Sequence, residues 1–343
     1  MDLDRPERYG EVDPGGALAD VEAAASQWSR APRPDPLDLG DVDAIIVAGV
    51  GGSGICADVV AAIAADRLAV PVIVHKNYGL PAHVGRRSLV VAVSCSGDTE
   101  ETLSCAQEAL HRGARLLAVA GGGRLAGLCE EVGHPWVPVP RTCQPRHSLG
   151  ALAVPVLAAL GLDDGLDEAF DVQRRTVAQC GRHVPVADNP AKQLGASIAE
   201  AGVAIVQGTR PLASVAAYRL KCQLNENAEL PAFFGELPEA THNELVGWQE
   251  PHGLAKTSTL VFLRDPQSEH PRMSRRIDVF TDLVADRFAT VAQLTAEGAT
   301  SVARLASLLL LADLTSVYAA LALDRDPTPI ALIDSLKQEM SRE

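Results

Sequence analysis

The sequence predicts an α/β protein with two doubly wound parallel-sheet domains of the three-layer, flavodoxin-like kind. Short β-branched runs alternate with Ala- and Leu-rich helical patterns, the order that builds a parallel sheet covered by helices. This alternation stops at a proline-containing stretch near the middle of the chain and then restarts. A length of 343 residues also exceeds what one hydrophobic core usually supports, so we expect two domains or one large α/β unit.

The first half of the chain predicts one sheet with helices between its strands. Five apolar runs that end at Gly, Ser, Pro or Asn predict strands at 44–49, 71–77, 88–94, 115–121 and 136–140. Helical patterns lie between them at 54–66, 99–112 and 123–132. We assign residues 1–184 to this domain.

The second half repeats the plan on a smaller scale. The segment HVPVADNPA (183–191) has two prolines and no helical period, which predicts a linker. Strands are predicted at 202–209, 258–265 and 289–294, with a long helical pattern after the first. The apolar run 305–323 contains an aspartate, a threonine and two serines, so it predicts a core helix rather than a membrane span. We assign residues 185–343 to this second domain.

Composition argues against several classes of function. The formal net charge is −14 and no Lys/Arg cluster occurs, so neither nucleic acid nor an anionic membrane is an expected partner. The acidic, polar start MDLDRPERYG does not resemble a signal peptide, so we expect a cytoplasmic protein. Seven cysteines without a C-x-x-C pair predict reduced thiols, with neither a disulfide framework nor a zinc site.

The first predicted strand runs into a glycine turn, VAGVGGSGICAD, which contains G-x-G-x-x-G. Alone this motif is weak, because it also occurs in tight turns that bind nothing. A nicotinamide dinucleotide site predicts an acidic residue about 20 positions further on. That place holds HKN (75–77), which leaves only a site of the NADP type open.

The next predicted strand ends in a second polar turn, SCSGDTEETL, which carries Ser94, Ser96 and Thr99 just before a helix. Three hydroxyls and the free N–H groups of a helix N-terminus can surround a phosphate dianion. The ordinary alternative, that Thr99 only caps the helix, explains one hydroxyl and not three. The two turns together predict a monophosphate site that is formed by Gly51, Gly52, Ser53, Ser94, Ser96 and Thr99.

These two turns resemble the signature loops of the SIS (sugar isomerase) phosphosugar-binding fold. Three later segments, CQPRHSLGAL, KCQLNENAELPAFFGELPEATHNELVGW and DPTPIALIDSLK, are similar in the same order to those of the bifunctional phosphoglucose/phosphomannose isomerases of archaea and bacteria. The resemblance implies two SIS domains, a homodimer and an aldose–ketose isomerase with neither metal nor cofactor. It also implies that glucose 6-phosphate or mannose 6-phosphate is interconverted with fructose 6-phosphate through a cis-enediolate.

The catalytic candidates combine this resemblance with the chemistry that isomerisation needs. Glu226 lies between two asparagines beside apolar residues and matches the family's general base; His242 matches its ring-opening histidine, which in relatives can come from the second subunit. Arg146 is placed to stabilise the enediolate, and Lys337 matches a lysine that the family returns to the site. Glu244 is a weaker candidate for orienting His242. Each has an ordinary alternative as an exposed or loop residue.

The second turn departs from the family pattern S-Y-S-G-N-T at two positions, where it has Cys95 and Asp98. A carboxylate near the phosphate opposes a dianion, so we expect these changes to affect which substrate is accepted. His147, after Arg146, stands where a small residue is expected. Alternatives to the leading interpretation are therefore an isomerase of another phosphosugar, a non-catalytic sugar-phosphate sensor and an NADP-dependent oxidoreductase. No metal site is predicted, because H-E-x-x-H is absent.

Overall fold

The computed structural model describes residues 1–249, 253–340 and 342, and its first half contains a five-stranded parallel sheet. Each of the five predicted strands is confirmed, within three residues at either end. The strands are β1 (Ala44–Ala48), β2 (Val72–His75), β3 (Ser88–Ser94), β4 (Arg115–Ala120) and β5 (Trp136–Pro138). They lie in the order β2-β1-β3-β4-β5.

Helices cover both faces of this sheet because successive strand residues point to opposite sides. Ile45, Val47 and Val91 belong to a core that includes the helices at 52–64 and 149–159. Ile46 and Val90 belong to a separate core that includes the helices at 100–111 and 123–132. The helices of this half are α1 (Tyr9–Val12), α2 (Ala17–Ala23), α3 (Ala25–Arg30), α4 (Gly52–Ala64), α5 (Glu100–His111), α6 (Gly123–Val132), α7 (Leu149–Ala159) and α8 (Leu166–Cys180).

The second half contains a four-stranded parallel sheet in the order β7-β6-β8-β9. Its strands are β6 (Val203–Thr209), β7 (Ala232–Leu237), β8 (Ser258–Arg264) and β9 (Thr290–Thr295). Strand β7 was not predicted, because Pro231 and Gly235 mark turns in a sequence and the edge position leaves Phe233 exposed. The predicted linker is also partly helical, since Asn189 caps a helix that begins at Pro190.

The helices of the second half surround one long buried helix. They are α9 (Pro190–Ala201), α10 (Ala213–Asn227), α11 (Glu244–Gly247), α12 (Gly253–Lys256), α13 (Pro271–Val284), α14 (Ser301–Ala322) and α15 (Ala331–Met340). Within the described residues, α14 alone is long and apolar enough to cross a bilayer, yet 89% of its apolar stretch is buried inside the protein. It packs against α8, α9 and α10, so it is the core helix that the sequence predicts.

One hydrophobic core joins the two sheets. It contains Val47 of β1, Val60 of α4, Leu220 of α10 and Leu309 of α14, together with Val261 of β8. Helices α4 and α10 also pack against each other. The division into domains at residues 184 and 185 stays a prediction, because the apolar interior continues across it.

Candidate active site

The two predicted phosphate loops lie at one edge of the first sheet. Strands β1 and β3 are parallel neighbours, so the turns that follow them, β1–α4 and β3–α5, meet at the carboxyl edge. The backbone N–H of Cys95 in one loop donates to Ser53 Oγ in the other, at 3.4 Å. The structure therefore brings the two loops together, and with them the six predicted phosphate ligands.

Two hydroxyl groups of the second loop, those of Ser94 and Thr99, face each other. Ser94 Oγ lies 2.8 Å from Thr99 Oγ1 and accepts the N–H of Gly97 at 3.0 Å, while Ser96 Oγ accepts the N–H of Asp98 at 3.1 Å. Thr99 makes no side-chain cap on α5, which argues against a role limited to capping. The N-terminus of α4 has no side-chain cap either. Both helix starts thus keep N–H groups for an anion.

Two glycines allow the surrounding segments to approach these loops. Gly97 has a φ of +79°, and a Cβ atom there would lie 1.8 Å from the carbonyl oxygen of Gly122 in the β4–α6 turn. A Cβ atom on Gly52 would lie 2.9 Å from the carbonyl oxygen of Pro145. The segment that carries Arg146 consequently packs directly on the first phosphate loop.

The Asp98 carboxylate, one of the two departures from the family pattern, is paired within the protein. Its Oδ1 accepts the N–H of Arg124 at the start of α6, at 3.0 Å, and lies 3.6 Å from Arg124 Nε. Arg124 Nη2 also donates to the carbonyl oxygen of Asp98 at 3.0 Å. This pairing reduces the repulsion that an extra carboxylate would exert on a bound dianion. The other departure, Cys95, is buried.

A small cavity of about 60 Å³ lies next to the first phosphate loop, between the two halves of the chain. It brings Glu226 and Arg146, two of the predicted catalytic residues, to the same space as Gly51 and Gly52. Glu226 is half-buried on the last turn of α10. The residues that line the cavity are Gly51, Gly52, Ile55, Lys76, Arg146, Tyr218, Arg219, Cys222, Gln223 and Glu226.

Three hydrogen bonds hold the buried Arg146 guanidinium. Nε donates to Asn227 Oδ1 at 2.8 Å, and Nη2 donates to the carbonyl oxygens of Pro327 and Thr328 at 2.6 and 2.8 Å. Nη1 makes no hydrogen bond to any described residue. Burial lowers the pKa of Arg146, and the nearby Glu226 carboxylate opposes this effect. The group keeps its charge and one free nitrogen for a ligand in the cavity.

Sequence reasoning missed Lys76, which lines the cavity together with Arg146 and Arg219. Lys76 Nζ lies 2.5 Å from Asp58 Oδ2 and 4.6 Å from the ring centroid of Tyr218. Burial raises the pKa of Asp58, and the ammonium of Lys76 opposes that increase. The only signal in the sequence is a basic residue after the second strand, which suggests a contact to the phosphate of NADP rather than a part of a phosphosugar site.

Helix α10 contributes a whole face to the cavity, which sequence reasoning also missed. Five of its residues line the cavity, and they are spaced one, three or four positions apart, so they share one side of the helix. They are Tyr218, Arg219, Cys222, Gln223 and Glu226. Burial raises the pKa of Tyr218 to about 12. Burial also raises the pKa of the Cys222 thiol above its ordinary value. Both side chains are therefore neutral hydrogen-bonding groups at physiological pH. Helical periodicity around Glu226 would have revealed this face.

The structure does not bring His242 to Glu226 within one chain. Glu226 precedes strand β7, and the exposed His242 follows it in a 3₁₀ turn, Glu239–His242. A strand of six residues spans about 20 Å, so the two side chains lie at opposite ends of β7. Glu244, the suggested partner of His242, instead accepts a hydrogen bond from Gln207 Nε2 at 2.7 Å.

Lys337 does not line the cavity either. It belongs to α15, in which no residue is buried, and Leu332 and Leu336 of the same helix are 89% and 63% exposed. His147 is buried beside Asp20, with 3.8 Å between its Nδ1 and Asp20 Oδ2.

Across the described ranges no three His, Cys, Asp or Glu side chains are grouped so that they could hold a metal ion, and a metal-free reaction stays a prediction.

Comparison with known proteins identifies the relatives of this chain. Residues 187–340 match the family model described as the bacterial phospho-glucose isomerase C-terminal SIS domain. A bifunctional phosphoglucose/phosphomannose isomerase of Caldicellulosiruptor bescii is 35% identical over 88% of this chain and 90% of that relative. One of Aquifex aeolicus is 34% identical over 89% of this chain and 92% of that relative.

Solved structures show the same fold. A glucose-6-phosphate isomerase like protein from Thermus thermophilus superposes with a TM-score of 0.66 at 19% identity, over 98% of this chain and 99% of that one. The two chains therefore correspond along nearly their whole length. The fold agrees with relatives of this identity and coverage, and the chain belongs to the family of bifunctional phosphoglucose/phosphomannose isomerases.

Proposed function

We propose that this protein is an aldose–ketose isomerase that interconverts glucose 6-phosphate and mannose 6-phosphate with fructose 6-phosphate. One observation carries the proposal: Glu226 and Arg146 line a cavity together with Gly51 and Gly52 of the first phosphate loop, and the second loop contacts the first. A binding protein would need the loops, but it would not need a carboxylate beside a bound anion. The relatives at 34–35% identity carry the same activity in their names.

In the proposed reaction the substrate phosphate lies against the N-termini of α4 and α5. Glu226 takes the proton from C2 of the open-chain aldose and returns it to C1, while the hydroxyl proton moves between the two oxygens. Charge that develops on the enediolate oxygen faces Arg146, whose free Nη1 is the donor. No cofactor takes part, and the substrate is a soluble metabolite, so we place the reaction in the cytoplasm.

Ring opening, in this proposal, requires a second copy of the chain. His242 lies at the far end of β7 from Glu226, and the resemblance to the family implies a homodimer that shares its active sites. We therefore assign His242 to the site of the partner. The exposed apolar side of α15 also lacks cover within one chain, and we assign Lys337 to the same interface.

The test is an isomerase assay with fructose 6-phosphate that measures glucose 6-phosphate and mannose 6-phosphate separately, with and without EDTA. We expect both products at rates that EDTA does not reduce. Glu226→Gln should lower kcat by about 10² to 10⁴-fold, because a general base is lost while the phosphate loops are intact. Glu229→Gln, which changes an exposed glutamate just after the same helix, is the matched control and should retain kcat.

Each contrary result identifies a different error. Thermal stabilisation by fructose 6-phosphate without product would replace the isomerase by a sugar-phosphate sensor or by an isomerase of another phosphosugar. Full turnover of a folded Glu226→Gln variant would show that another group is the base. Loss of both products in EDTA would contradict a metal-free reaction.

A further inference from the structure

Asn227 is a fully buried side chain that links Arg146 to the core helix α14. Its Oδ1 accepts from Arg146 Nε at 2.8 Å, and its Nδ2 donates to Ser316 Oγ at 2.9 Å. Ser316 Oγ in turn donates to the carbonyl oxygen of Asp313 at 2.8 Å. Because arginine can only donate hydrogen bonds, the amide oxygen of Asn227 must face Arg146. The amide nitrogen then donates to Ser316, and the Ser316 hydroxyl donates to Asp313.

A second link from α14 holds the backbone at the same arginine. Arg219 Nη2 donates to the carbonyl oxygen of Arg146 at 2.7 Å. The Arg219 guanidinium also makes a two-point ion pair with Asp313, at 2.7 and 2.8 Å. Arg219 and Asp313 are 1% and 6% exposed. One turn of α14 therefore fixes both the main chain and the guanidinium plane of Arg146.

We infer that Asn227 is a positioning residue for the isomerisation, an inference that rests on the proposed function. Asn227 does not line the cavity, so it acts through Arg146 and not on the sugar. It follows Glu226 directly in the chain, so the last turn of α10 both carries the base and holds the guanidinium. This arrangement sets the distance between the Glu226 carboxylate, which moves the proton, and the Arg146 guanidinium, which stabilises the enediolate.

The first test is the kinetics of Asn227→Leu. Leucine keeps the number of side-chain heavy atoms and removes both hydrogen bonds. We expect kcat to fall about tenfold or more while KM changes by less than about threefold, because the phosphate loops are untouched. In an Arg146→Lys background, which has no Nε to orient, the same substitution should cost less than about twofold.

The second test observes the guanidinium directly by ¹⁵N NMR. The Nε–H resonance of Arg146 is identified by its loss in Arg146→Lys, and we expect it to exchange slowly with solvent in the wild type. Asn227→Leu should shift this resonance and accelerate its exchange. Should Asn227→Leu fail to fold, Ser316→Ala removes the next bond of the chain and should change both readouts in the same direction.

The control is Asn189→Leu. Asn189 is equally buried, accepts the N–H of Lys192 at 3.0 Å and donates to Gly181 at 3.3 Å, but it lies outside the site. We expect it to lower the melting temperature and leave kcat unchanged. Three results would each overturn the inference. They are an equal loss of kcat in this control, a full kcat in Asn227→Leu, and an undiminished effect of Asn227→Leu in the Arg146→Lys background. A wild type without isomerase activity contradicts the proposed function instead, and the NMR readout then still tests the role of Asn227.

Discussion

At the scale of single residues, two of the three cations that line the cavity, Lys76 and Arg146, are held by different partners. Lys76 is paired with a carboxylate, that of Asp58, so much of its charge is balanced. Arg146 is held by an amide oxygen and two carbonyl oxygens, and it forms no ion pair with any described residue. Without an ion pair its charge can act on an enediolate, whereas Lys76 is better suited to bind a neutral oxygen of the sugar.

This difference predicts different kinetic effects for the two residues. Lys76→Met should raise KM about tenfold and change kcat by less than about threefold, because a uniform binding contact is lost. The exposed Lys256→Met is the control for a change of net charge and should behave like the wild type. Steady-state kinetics over a range of fructose 6-phosphate concentrations measure both constants. A large fall in kcat at unchanged KM would assign Lys76 to the chemical step.

Sequence alone led to Glu226 and Arg146 but not to Lys76 or Asn227. The first two lie in motifs that carry a recognisable chemistry. Lys76 reaches the site because α4 and α10 pack against each other, and Asn227 matters because Arg146 folds back onto it from a distant part of the chain. Contacts of this kind depend on tertiary packing, for which a single sequence contains no local signal.

At the scale of elements, the start of α14 is anchored by a carboxylate from another helix. Glu168 of α8 accepts the N–H groups of Ala299 and Thr300 at 2.6 and 2.9 Å, and Thr300 Oγ1 caps the helix by accepting the N–H of Ala303. These hydrogen bonds hold the pKa of Glu168 below its ordinary value. A negative charge there also interacts favourably with the helix dipole.

Stability should therefore depend on pH through Glu168. A carboxyl group with a lowered pKa in the folded state stabilises the fold above its unfolded pKa of about 4.3, and this contribution is lost as the pH falls through the folded pKa. Glu168→Gln should lower the free energy of unfolding by about 1 kcal/mol at pH 7. The difference from the wild type should shrink below about pH 4. Urea titrations at several pH values measure it.

The surface substitution Asp171→Asn on the same helix is the control. Asp171 forms only an exposed ion pair with Arg174, at 3.8 Å, so its loss should be almost neutral at every pH. A constant difference between Glu168→Gln and the wild type from pH 7 to pH 3 would contradict the assignment of the effect to the ionised carboxylate.

The elements themselves were largely predictable, and their register and partners were not. The strands β1, β3 and β6 follow from buried β-branched runs, and α14 follows from its apolar run. Strand β7 escaped prediction because Pro231 just before it and Gly235 within it both mark turns in a purely local assessment. Its location nevertheless decides how Glu226 and His242 are separated.

At the scale of the whole molecule, the proposed homodimer predicts that catalysis depends on two chains, with Glu226 and His242 of each site contributed by different subunits. A mixture of Glu226→Gln and His242→Gln proteins, unfolded and refolded together, forms mixed dimers with one intact site and one doubly altered site. If half of the dimers are mixed, activity should return to about one quarter of the wild-type value. Each variant refolded alone is the control and should stay almost inactive. A mixture no more active than the separate variants would place His242 in the site of its own chain.

The core helix α14 also has a consequence for how the chain is made. Residues 301–322 fill the interior between α8, α9 and α10, but a ribosome completes them only after the other three helices have emerged. Synthesis at about 5 to 20 residues per second leaves the apolar faces of those helices uncovered for several seconds. We therefore expect the nascent chain to need protection from self-association until α14 has been synthesised and can cover these faces.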